Sequence, residues 1–250
     1  MLIAEIFSSL QGEGLLTGTP SVFVRASGCN LRCWFCDTPY TSWQPEGQDW
    51  SVEEVVEEVG RLQTWGRLPA CRSGVALVDP PHPTEIRHAV LTGGEPMLFA
   101  ELIPLCQRLK AAGLHITIET AGTLDLPVEC DLMSISPKLA SSTPSAERGG
   151  KWTPRHERTR HRPDVIRRLM HNYAYQLKFV VDSRDDLREV NEWLNLFPNA
   201  DRCRVLLMPQ GIDSVTLATT AQWLEPYCRE HGFTFCPRKH IEWFGARRGT

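Results

Sequence analysis

Short apolar runs of β-forming residues alternate with amphipathic helical stretches along most of the chain, and this alternation limits the possible folds more than any other feature. It is typical of an α/β domain, in which helices cross over between parallel strands. The predicted strands are 2–7, 21–26, 89–92, 115–119, 132–136, 176–181, 204–208 and 234–236. The predicted helices are 52–62, 101–112, 184–195 and 217–230. The first follows Ser51, with Glu54 in the capping-box position.

Two segments interrupt this pattern. Residues 66–88 are rich in Pro and Gly, and residues 140–163 are polar, with many Arg, Pro and His. We expect one domain over residues 1–250, with both segments as surface insertions. The second segment resembles a basic nucleic-acid patch, but it lacks regularly interleaved aromatic residues, and the whole chain has a formal charge of −3. We therefore predict a solvated loop there and no nucleic-acid partner.

From the sequence we expect neither a membrane span nor an export signal. No apolar run approaches the roughly 20 residues that a spanning helix needs, and residues 1–9 lack a basic start and a long apolar stretch. We expect a cytoplasmic protein that acts on a small molecule, without a membrane partner.

Three of the nine cysteines, Cys29, Cys33 and Cys36, fall within the string GCNLRCWFC, and the other six are scattered singly. In a chain without an export signal, such clustering favours metal binding or redox chemistry over a disulfide framework. Three thiolates on one loop can ligate a [4Fe–4S] cluster and leave its fourth iron open to a substrate. Spacing alone leaves two alternatives, which are unligated cysteines and a zinc site completed by a distant ligand such as His240.

The string CNLRCWFCDT resembles the CxxxCxxC signature of the radical S-adenosylmethionine (SAM) superfamily, and TGGEPML at 92–98 is similar to its GGE motif. By itself, GGEP could also be an ordinary strand-to-helix turn. The resemblance implies a modified, incomplete (β/α) barrel, a [4Fe–4S] cluster, and SAM that is cleaved to a 5′-deoxyadenosyl radical. The SAM-binding residues that it implies are Phe35, Cys36, Asp37, Gly93, Gly94, Glu95, Ser136, Pro137, Lys138 and Gln210, with Glu95 on the ammonium group of SAM.

The strings EIFSSLQGEG, FVRASGC, CDT, IETAGT, SPKLA and the final RRGT together resemble the 7-carboxy-7-deazaguanine synthase family over nearly the whole chain. This resemblance implies a carbon–nitrogen lyase of queuosine biosynthesis, which contracts the ring of 6-carboxy-5,6,7,8-tetrahydropterin with loss of ammonia. It also implies Mg²⁺ bound through Thr38, an electron donor such as flavodoxin or ferredoxin, and a homodimer. An activase that installs a glycyl radical on a partner protein is the alternative activity, and a non-enzymatic zinc or iron–sulfur module is the alternative from another class.

The substrate-binding residues that the family resemblance implies are Leu10, Gln11, Gly12, Glu13, Arg25, Thr92, Glu119, His240 and Thr250. Arg25 suits the pterin carboxylate, because a guanidinium can pair with a carboxylate through two parallel hydrogen bonds. Glu13 and Glu119 suit the NH groups of the pterin edge. Considered alone, Thr38 would more readily be a cap or turn residue, and His240 could equally be a core histidine.

Overall fold

The computed structural model describes residues 1–63 and 85–250. Its strands are β1 Leu2–Leu10, β2 Pro20–Ala26, β3 Gln48–Asp49, β4 His88–Gly93, β5 His115–Thr120, β6 Leu132–Ile135, β7 Tyr175–Val181, β8 Val205–Pro209 and β9 Thr234–Phe235. Its α-helices are α1 Val52–Leu62, α2 Leu102–Ala111, α3 Ala146–Gly149, α4 Trp152–Arg160, α5 Pro163–Asn172, α6 Asp186–Asn195, α7 Ser214–His231 and α8 Lys239–Phe244. None of these helices has both the length and the apolar character required to cross a lipid bilayer.

The nine strands form one sheet in the order β3-β1-β2-β4-β5-β6-β7-β8-β9. From β2 to β9 all neighbours are parallel, whereas β1 pairs antiparallel with both β2 and β3. Within the described ranges, β3 and β9 each pair with one neighbour only, so the sheet does not close on itself. This open parallel sheet with helical crossovers is the predicted α/β fold, an incomplete barrel.

The core lies between the sheet and the helices that cover it. β6 and β8 are buried along their whole length, as expected for parallel strands that are covered on both faces. Helix α1 contributes Val55 and Val59 to the core, and its capping box at Ser51 and Glu54 is formed as predicted. Every predicted strand and helix is present, and no boundary differs from the prediction by more than three residues.

The prediction of a solvated loop over 140–163 is wrong. This segment contains a 3-10 turn at Ala140–Ser142, both α3 and α4, and the start of α5. The side chains of Ser142 and His156 are fully buried, and Arg160 is buried in ion pairs with Glu157 and Glu189. Helix α4 lacks an apolar stripe because its buried positions, His156 and Arg160, are polar. Residues 66–84 of the other predicted insertion, 66–88, lie outside the described part.

Candidate active site

A cavity of about 500 Å³ lies near the carboxyl ends of the parallel strands. This is the edge at which open α/β sheets bind their ligands. The predicted site residues that line it are Leu10, Gln11, Gly12, Glu13, Arg25, Cys29, Cys33, Phe35, Cys36, Asp37, Thr38, Thr92, Gly93, Gly94, Glu119, Ser136, Lys138, Gln210, His240 and Thr250. Two predicted residues, Glu95 and Pro137, lie behind the wall rather than on it.

The cysteine loop follows β2 and forms one wall of this cavity. Cys29, Cys33 and Cys36 are free thiols that face the same space. Burial raises the pKa of Cys29 to about 12 and that of Cys33 to about 11, and the neighbouring thiols add to both shifts. Such thiols are deprotonated readily only when a bound cation compensates their charge. The donor set therefore fits a cationic iron–sulfur group.

The described residues contain no group of three or more His, Cys, Asp or Glu side chains that converges on one metal ion. In a [4Fe–4S] cluster each cysteine binds a different iron, so the three sulfurs do not converge on a point. A zinc site with His240 as fourth ligand is not formed, because the His240 ring lies beside Glu13, with 3.8 Å between Nδ1 and Oε1. Of the alternatives for these cysteines, the geometry favours the cluster.

The segment that was predicted to be a loop supports the cysteine loop from behind. The backbone NH of Arg32 donates to Nδ1 of His156 at 3.0 Å, and the indole of Trp34 donates to the carbonyl of Ser141 at 2.6 Å. Because Nδ1 of His156 is an acceptor, Nε2 carries the proton and donates to Ser142 Oγ at 2.9 Å. Burial lowers the pKa of His156 to about 4, so this neutral form persists at neutral pH.

Gly93 and Gly94 bring the end of β4 against β2 and the cysteine loop. A Cβ on Gly93, whose φ is +125°, would lie 2.0 Å from the carbonyl oxygen of Ala26. A Cβ on Gly94 would lie 2.0 Å from the carbonyl oxygen of Gly28. No side chain fits at either position, so both glycines are required by this close approach.

Glu95 is fully buried, and its carboxylate accepts hydrogen bonds from the Thr120 hydroxyl at 2.8 Å and the Ala121 NH at 2.9 Å. It also accepts from the NH of Met97 at 3.1 Å, as the cap of the 3-10 turn Pro96–Leu98. Burial raises the pKa of this carboxyl. The structure therefore places Glu95 as a link between the ends of β4 and β5, and its predicted contact with the SAM ammonium group stays a prediction.

Glu13 lies in the turn after β1 among three basic side chains. Lys178 donates to its Oε2, the guanidinium of Arg238 donates to Oε1 at 3.0 Å, and His240 is the third neighbour. Burial alone would raise the pKa of Glu13, but the charges of Lys178 and Arg238 outweigh it and hold the pKa far below its usual range. Glu13 is therefore an anion at any physiological pH.

Glu119, at the end of β5, joins two other predicted substrate residues. Its Oε2 accepts a hydrogen bond from the Thr92 hydroxyl at 2.7 Å, and its Oε1 accepts one from the Gln11 amide at 3.1 Å. The side-chain oxygen of Gln11 in turn accepts from the backbone NH of Glu13 at 3.2 Å. The predicted pterin-edge residues thus form one hydrogen-bonded chain across the cavity.

Arg25, at the end of β2, is held by Glu5 on the neighbouring strand. Its Nε donates to Glu5 Oε1 at 2.7 Å, and the same oxygen accepts the Tyr40 hydroxyl at 2.7 Å. Because Glu5 accepts a hydrogen bond from Nε only, the NH groups on the two terminal nitrogens of Arg25 can donate to a ligand in the cavity.

Thr38 precedes the 3-10 turn Pro39–Thr41 but does not cap it with its side chain. Its hydroxyl lies 3.9 Å from the sulfur of Cys36, and it accepts a hydrogen bond from the Thr41 hydroxyl at 3.2 Å. Thr38 occupies the N-cap position and its carbonyl accepts from the Thr41 NH at 2.9 Å, so it is a turn residue through its backbone, while its hydroxyl keeps an oxygen lone pair on the cavity wall.

The most important residue that sequence reasoning missed is Arg238. It is 6 % exposed and lies just after β9, as Arg25 lies at the end of β2. An arginine at the end of an apolar strand was therefore the signal that could have identified it. Further lining residues not predicted are Phe23, Leu31, Tyr40, Ser42, Thr120, Ala121, Ser134, Lys178, Val180, Met208, Ile212, Ile241, Ala246, Arg247 and Arg248.

Comparison with known proteins agrees with this geometry. The family model described as Radical SAM superfamily matches residues 23–174. The 7-carboxy-7-deazaguanine synthase of Rhodopirellula baltica is 45 % identical over 251 residues, which cover 100 % of this chain and 89 % of that protein. The synthase of Halobacterium salinarum is 41 % identical over 248 residues, covering 96 % and 88 % of the two chains.

Among solved structures, the crystal structure of QueE from Escherichia coli matches with a TM-score of 0.65 and 25 % identity. The match covers 96 % of this chain and 94 % of that one. The resemblance found in the sequence motifs is confirmed, and the chain belongs to the radical SAM superfamily and, within it, to the 7-carboxy-7-deazaguanine synthase family.

Proposed function

We propose that this protein converts 6-carboxy-5,6,7,8-tetrahydropterin to 7-carboxy-7-deazaguanine with loss of ammonia, and the name of its relatives, 7-carboxy-7-deazaguanine synthase, supports the product of this reaction. The observation that carries the proposal is that three cysteine thiols, Arg25 and the linked carboxylates of Glu13 and Glu119 share a single cavity. A cluster on Cys29, Cys33 and Cys36 would thus lie in the same enclosed space as the pterin-binding groups. A glycyl-radical activase is not supported, since full-length relatives carry the synthase name.

The cysteine wall provides the ligands of the [4Fe–4S] cluster and the binding place of SAM. When bound, these two groups supply the reducing electron and the radical that abstracts hydrogen from the substrate. On the protein side, the Ser136 hydroxyl accepts a hydrogen bond from the Lys138 ammonium at 2.7 Å. That ammonium also opposes the pKa rise of Cys33, so it stabilises the thiolate form that ligates iron. We assign Ser136, Lys138 and Gln210, which line the same cavity, to SAM binding.

A second set of residues in the same cavity provides the substrate contacts. The terminal nitrogens of Arg25 can take the pterin carboxylate in a bidentate pair, which Glu5 orients by holding Nε. The carboxylates of Glu119 and Glu13 accept from the NH groups of the pterin edge. Because Glu13 stays ionised, its acceptor capacity does not vary with pH in the physiological range. The binding of the ring is therefore determined mainly by fixed hydrogen-bonding groups.

Thr38 is assigned to Mg²⁺. Its hydroxyl makes no cap hydrogen bond, lines the cavity and lies near Cys36, so a cation there would contact both the protein and a substrate near the cluster. Mg²⁺ prefers oxygen ligands and often takes only one or two from the protein. The rest of its coordination would come from substrate and water, which would orient the substrate carboxylate.

Three expectations about the setting of this enzyme stay predictions. These are the homodimer, the protein that donates the electron, and the location in the cytoplasm.

The proposed function is tested with cluster-reconstituted enzyme under anaerobic conditions. Enzyme, SAM, Mg²⁺, dithionite and carboxytetrahydropterin are expected to yield 7-carboxy-7-deazaguanine, detected by its mass. A Cys33→Ala variant is expected to lose iron and all product. The matched control is Cys203→Ala, because Cys203 is an exposed free cysteine that does not line the cavity. This variant should retain both its iron and its product formation. Absence of product from an iron-loaded preparation that still cleaves SAM would refute the proposal.

A further inference from the structure

Helix α4 and its N-cap residue carry a row of exposed cations, Lys151, Arg155 and Arg158, which we name the α4 basic stripe. Their spacing of four and three residues places them on one helical face. In the parts of the chain that the structure describes, none of the three forms an ion pair, whereas Arg160 of the same helix is buried against Glu157 and Glu189. The stripe is thus a free positive surface on a chain whose formal charge is −3.

The stripe lies over the cysteine loop and is connected to it by stacked side chains. The guanidinium of Arg155 lies 4.7 Å from the centre of the Trp152 ring. The guanidinium of Arg32 stacks on the same ring at 3.9 Å, and its NH1 donates to the carbonyl of Cys29 at 2.7 Å. Only two stacking contacts and one hydrogen bond therefore separate an exposed stripe residue from a proposed cluster ligand.

A second connection runs through Arg148, which is exposed at α3. Its guanidinium lies 5.5 Å from the centre of the Trp43 ring, and the Trp43 indole donates to the carbonyl of Cys33 at 3.0 Å. Two exposed cations thus reach two different cluster cysteines by independent routes. Arginine and tryptophan are the residues most enriched at the energetic centres of protein interfaces.

We propose that the α4 basic stripe, together with Arg148, is the docking surface for a small acidic protein that carries one electron at a time. In each encounter the reduced flavin or iron–sulfur centre of that carrier would lose one electron, and the cluster held by the cysteine loop would gain it. This inference rests on the proposed function, because only a redox cluster at these cysteines needs such a carrier. The local positive charge attracts an acidic partner that the overall negative charge would repel.

A protein fits this surface better than a nucleic acid. Proteins that bind single-stranded nucleic acids without sequence preference use cationic grooves, and these grooves contain aromatic rings that are free to stack on the bases. Here the ring of Trp152 already carries the guanidinium groups of Arg32 and Arg155. The cations also lie directly behind the cysteine loop, a position that matters for electron entry and has no use in binding RNA.

The test compares a stripe variant, K151E/R155E/R158E, with a control variant, R61E/R108E/R229E, in which three exposed arginines of α1, α2 and α7 are reversed. Each is assayed with dithionite, which needs no docking, and with a purified flavodoxin reduced by its reductase and NADPH. The stripe variant is expected to keep its dithionite-driven rate and to lose about tenfold or more in kcat/KM for flavodoxin. The control variant should lose less than about threefold, the part expected from net charge alone.

Flavodoxin binding is measured directly as well, by surface plasmon resonance at low and at physiological salt. Wild-type affinity should fall as salt rises, and the stripe variant should show weaker and less salt-dependent binding. Circular dichroism shows whether the three glutamates unfold α4. If they do, the variant K151Q/R155Q/R158Q is used instead, and it is expected to show smaller losses of flavodoxin binding and of kcat/KM for flavodoxin.

Equal losses in the stripe and control variants, or loss of the dithionite-driven rate in a folded stripe variant, would overturn the inference. It would also be overturned if the stripe variant lost binding to a single-stranded RNA oligonucleotide while its flavodoxin-driven rate stayed normal, since the surface would then bind nucleic acid. Failure of the proposed function has a different signature. The wild type would make no carboxydeazaguanine with either reductant, while the binding measurement would still report on the stripe.

Discussion

Arg238 donates a hydrogen bond to Asp37, 201 residues earlier in the chain, and so joins the segment after β9 to the cysteine loop. Its Nε donates to Glu13 at 3.0 Å, and its NH1 donates to the carbonyl of Gly211 at 2.6 Å. One buried cation therefore connects the cysteine wall, the substrate turn and the loop after β8. The relative position of these three parts of the cavity depends on the Arg238 guanidinium.

Replacing Arg238 with Met is expected to reduce the free energy of unfolding by roughly 1.5–3 kcal/mol, because the Glu13 carboxylate then keeps only Lys178 as a close ion-pair partner and the half-exposed Asp37 loses its partner. Arg238→Lys keeps the charge but cannot make all three bonds, so we expect a smaller loss of stability and a raised KM for the pterin. Urea unfolding and steady-state kinetics measure the two effects. Arg229→Met, at an exposed arginine of α7, is the control and should cost less than about 1 kcal/mol. A similarly small cost for Arg238→Met would contradict the linking role.

Gly94→Ala is expected to prevent normal cluster loading. The added Cβ would lie 2.0 Å from the Gly28 carbonyl oxygen and 2.7 Å from that of Thr41, and backbone atoms on both sides of the cysteine loop cannot both move away. Iron per chain and the visible absorption of the anaerobically purified protein measure the effect.

Gly60→Ala is the matched control for this substitution, because its Cβ would meet nothing closer than 4.0 Å. It lies inside α1, where alanine is favoured over glycine by about 0.5–1 kcal/mol, so it should keep iron and gain slightly in stability. Normal iron content in a folded Gly94→Ala protein would show that the loop tolerates the displacement.

The strands could be predicted from the sequence because parallel strands covered on both faces appear as continuous apolar runs. Leu132–Ile135 and Val205–Pro209 are examples, and every residue of both is buried. Helix α4 could not be predicted in this way. Its buried positions are His156 and Arg160, and their burial depends on hydrogen bonds and ion pairs with residues far away in the chain. No apolar period indicates such a helix.

In the candidate site, too, some features can be predicted from local sequence and others depend on contacts between distant residues. The cavity-lining positions of Cys29 and Thr38 follow from motifs that are local in sequence. The surroundings of Glu13 do not, because the three basic groups around it come from Lys178, Arg238 and His240, more than 160 residues away. A carboxylate in a Gly-rich turn gives no sign of these partners. These partners come together only because the fold places β7 and the C-terminal segment against the turn after β1.

Thr38→Ala is expected to lower the apparent affinity for Mg²⁺ and the rate at limiting Mg²⁺, whereas Thr38→Ser, which keeps the hydroxyl, should stay close to wild type. The hydroxyl serves no cap, so its loss should change stability by less than about 1 kcal/mol. Initial rates over a Mg²⁺ titration measure the effect, and thermal unfolding checks the fold. Identical Mg²⁺ dependence in the Ala and Ser variants would remove Thr38 from the metal site.

The buried pair His88 and Ser21 makes the stability of the protein dependent on pH. The Ser21 hydroxyl donates to the carbonyl of Thr19 at 2.8 Å, so at 2.7 Å it accepts from Nδ1 of His88. Nε2 is then the acceptor for the Thr117 hydroxyl, at 2.8 Å. These bonds hold a neutral imidazole, and burial, reinforced by the nearby His115, lowers the pKa of His88 to about 4.

In the unfolded chain the pKa of His88 is about 6.5. Its contribution to stability is therefore complete above pH 6.5 and is lost as the pH falls toward 4, because only the unfolded state takes up the proton. The slope reaches about 1.4 kcal/mol per pH unit for one histidine. His88→Gln, which can donate and accept like the neutral ring, should lose that part of the slope. The measurement is urea unfolding between pH 4.5 and 7.5, with His171→Gln, an exposed histidine of α5, as control. An unchanged slope in His88→Gln would mean that His88 is not held neutral in the folded protein.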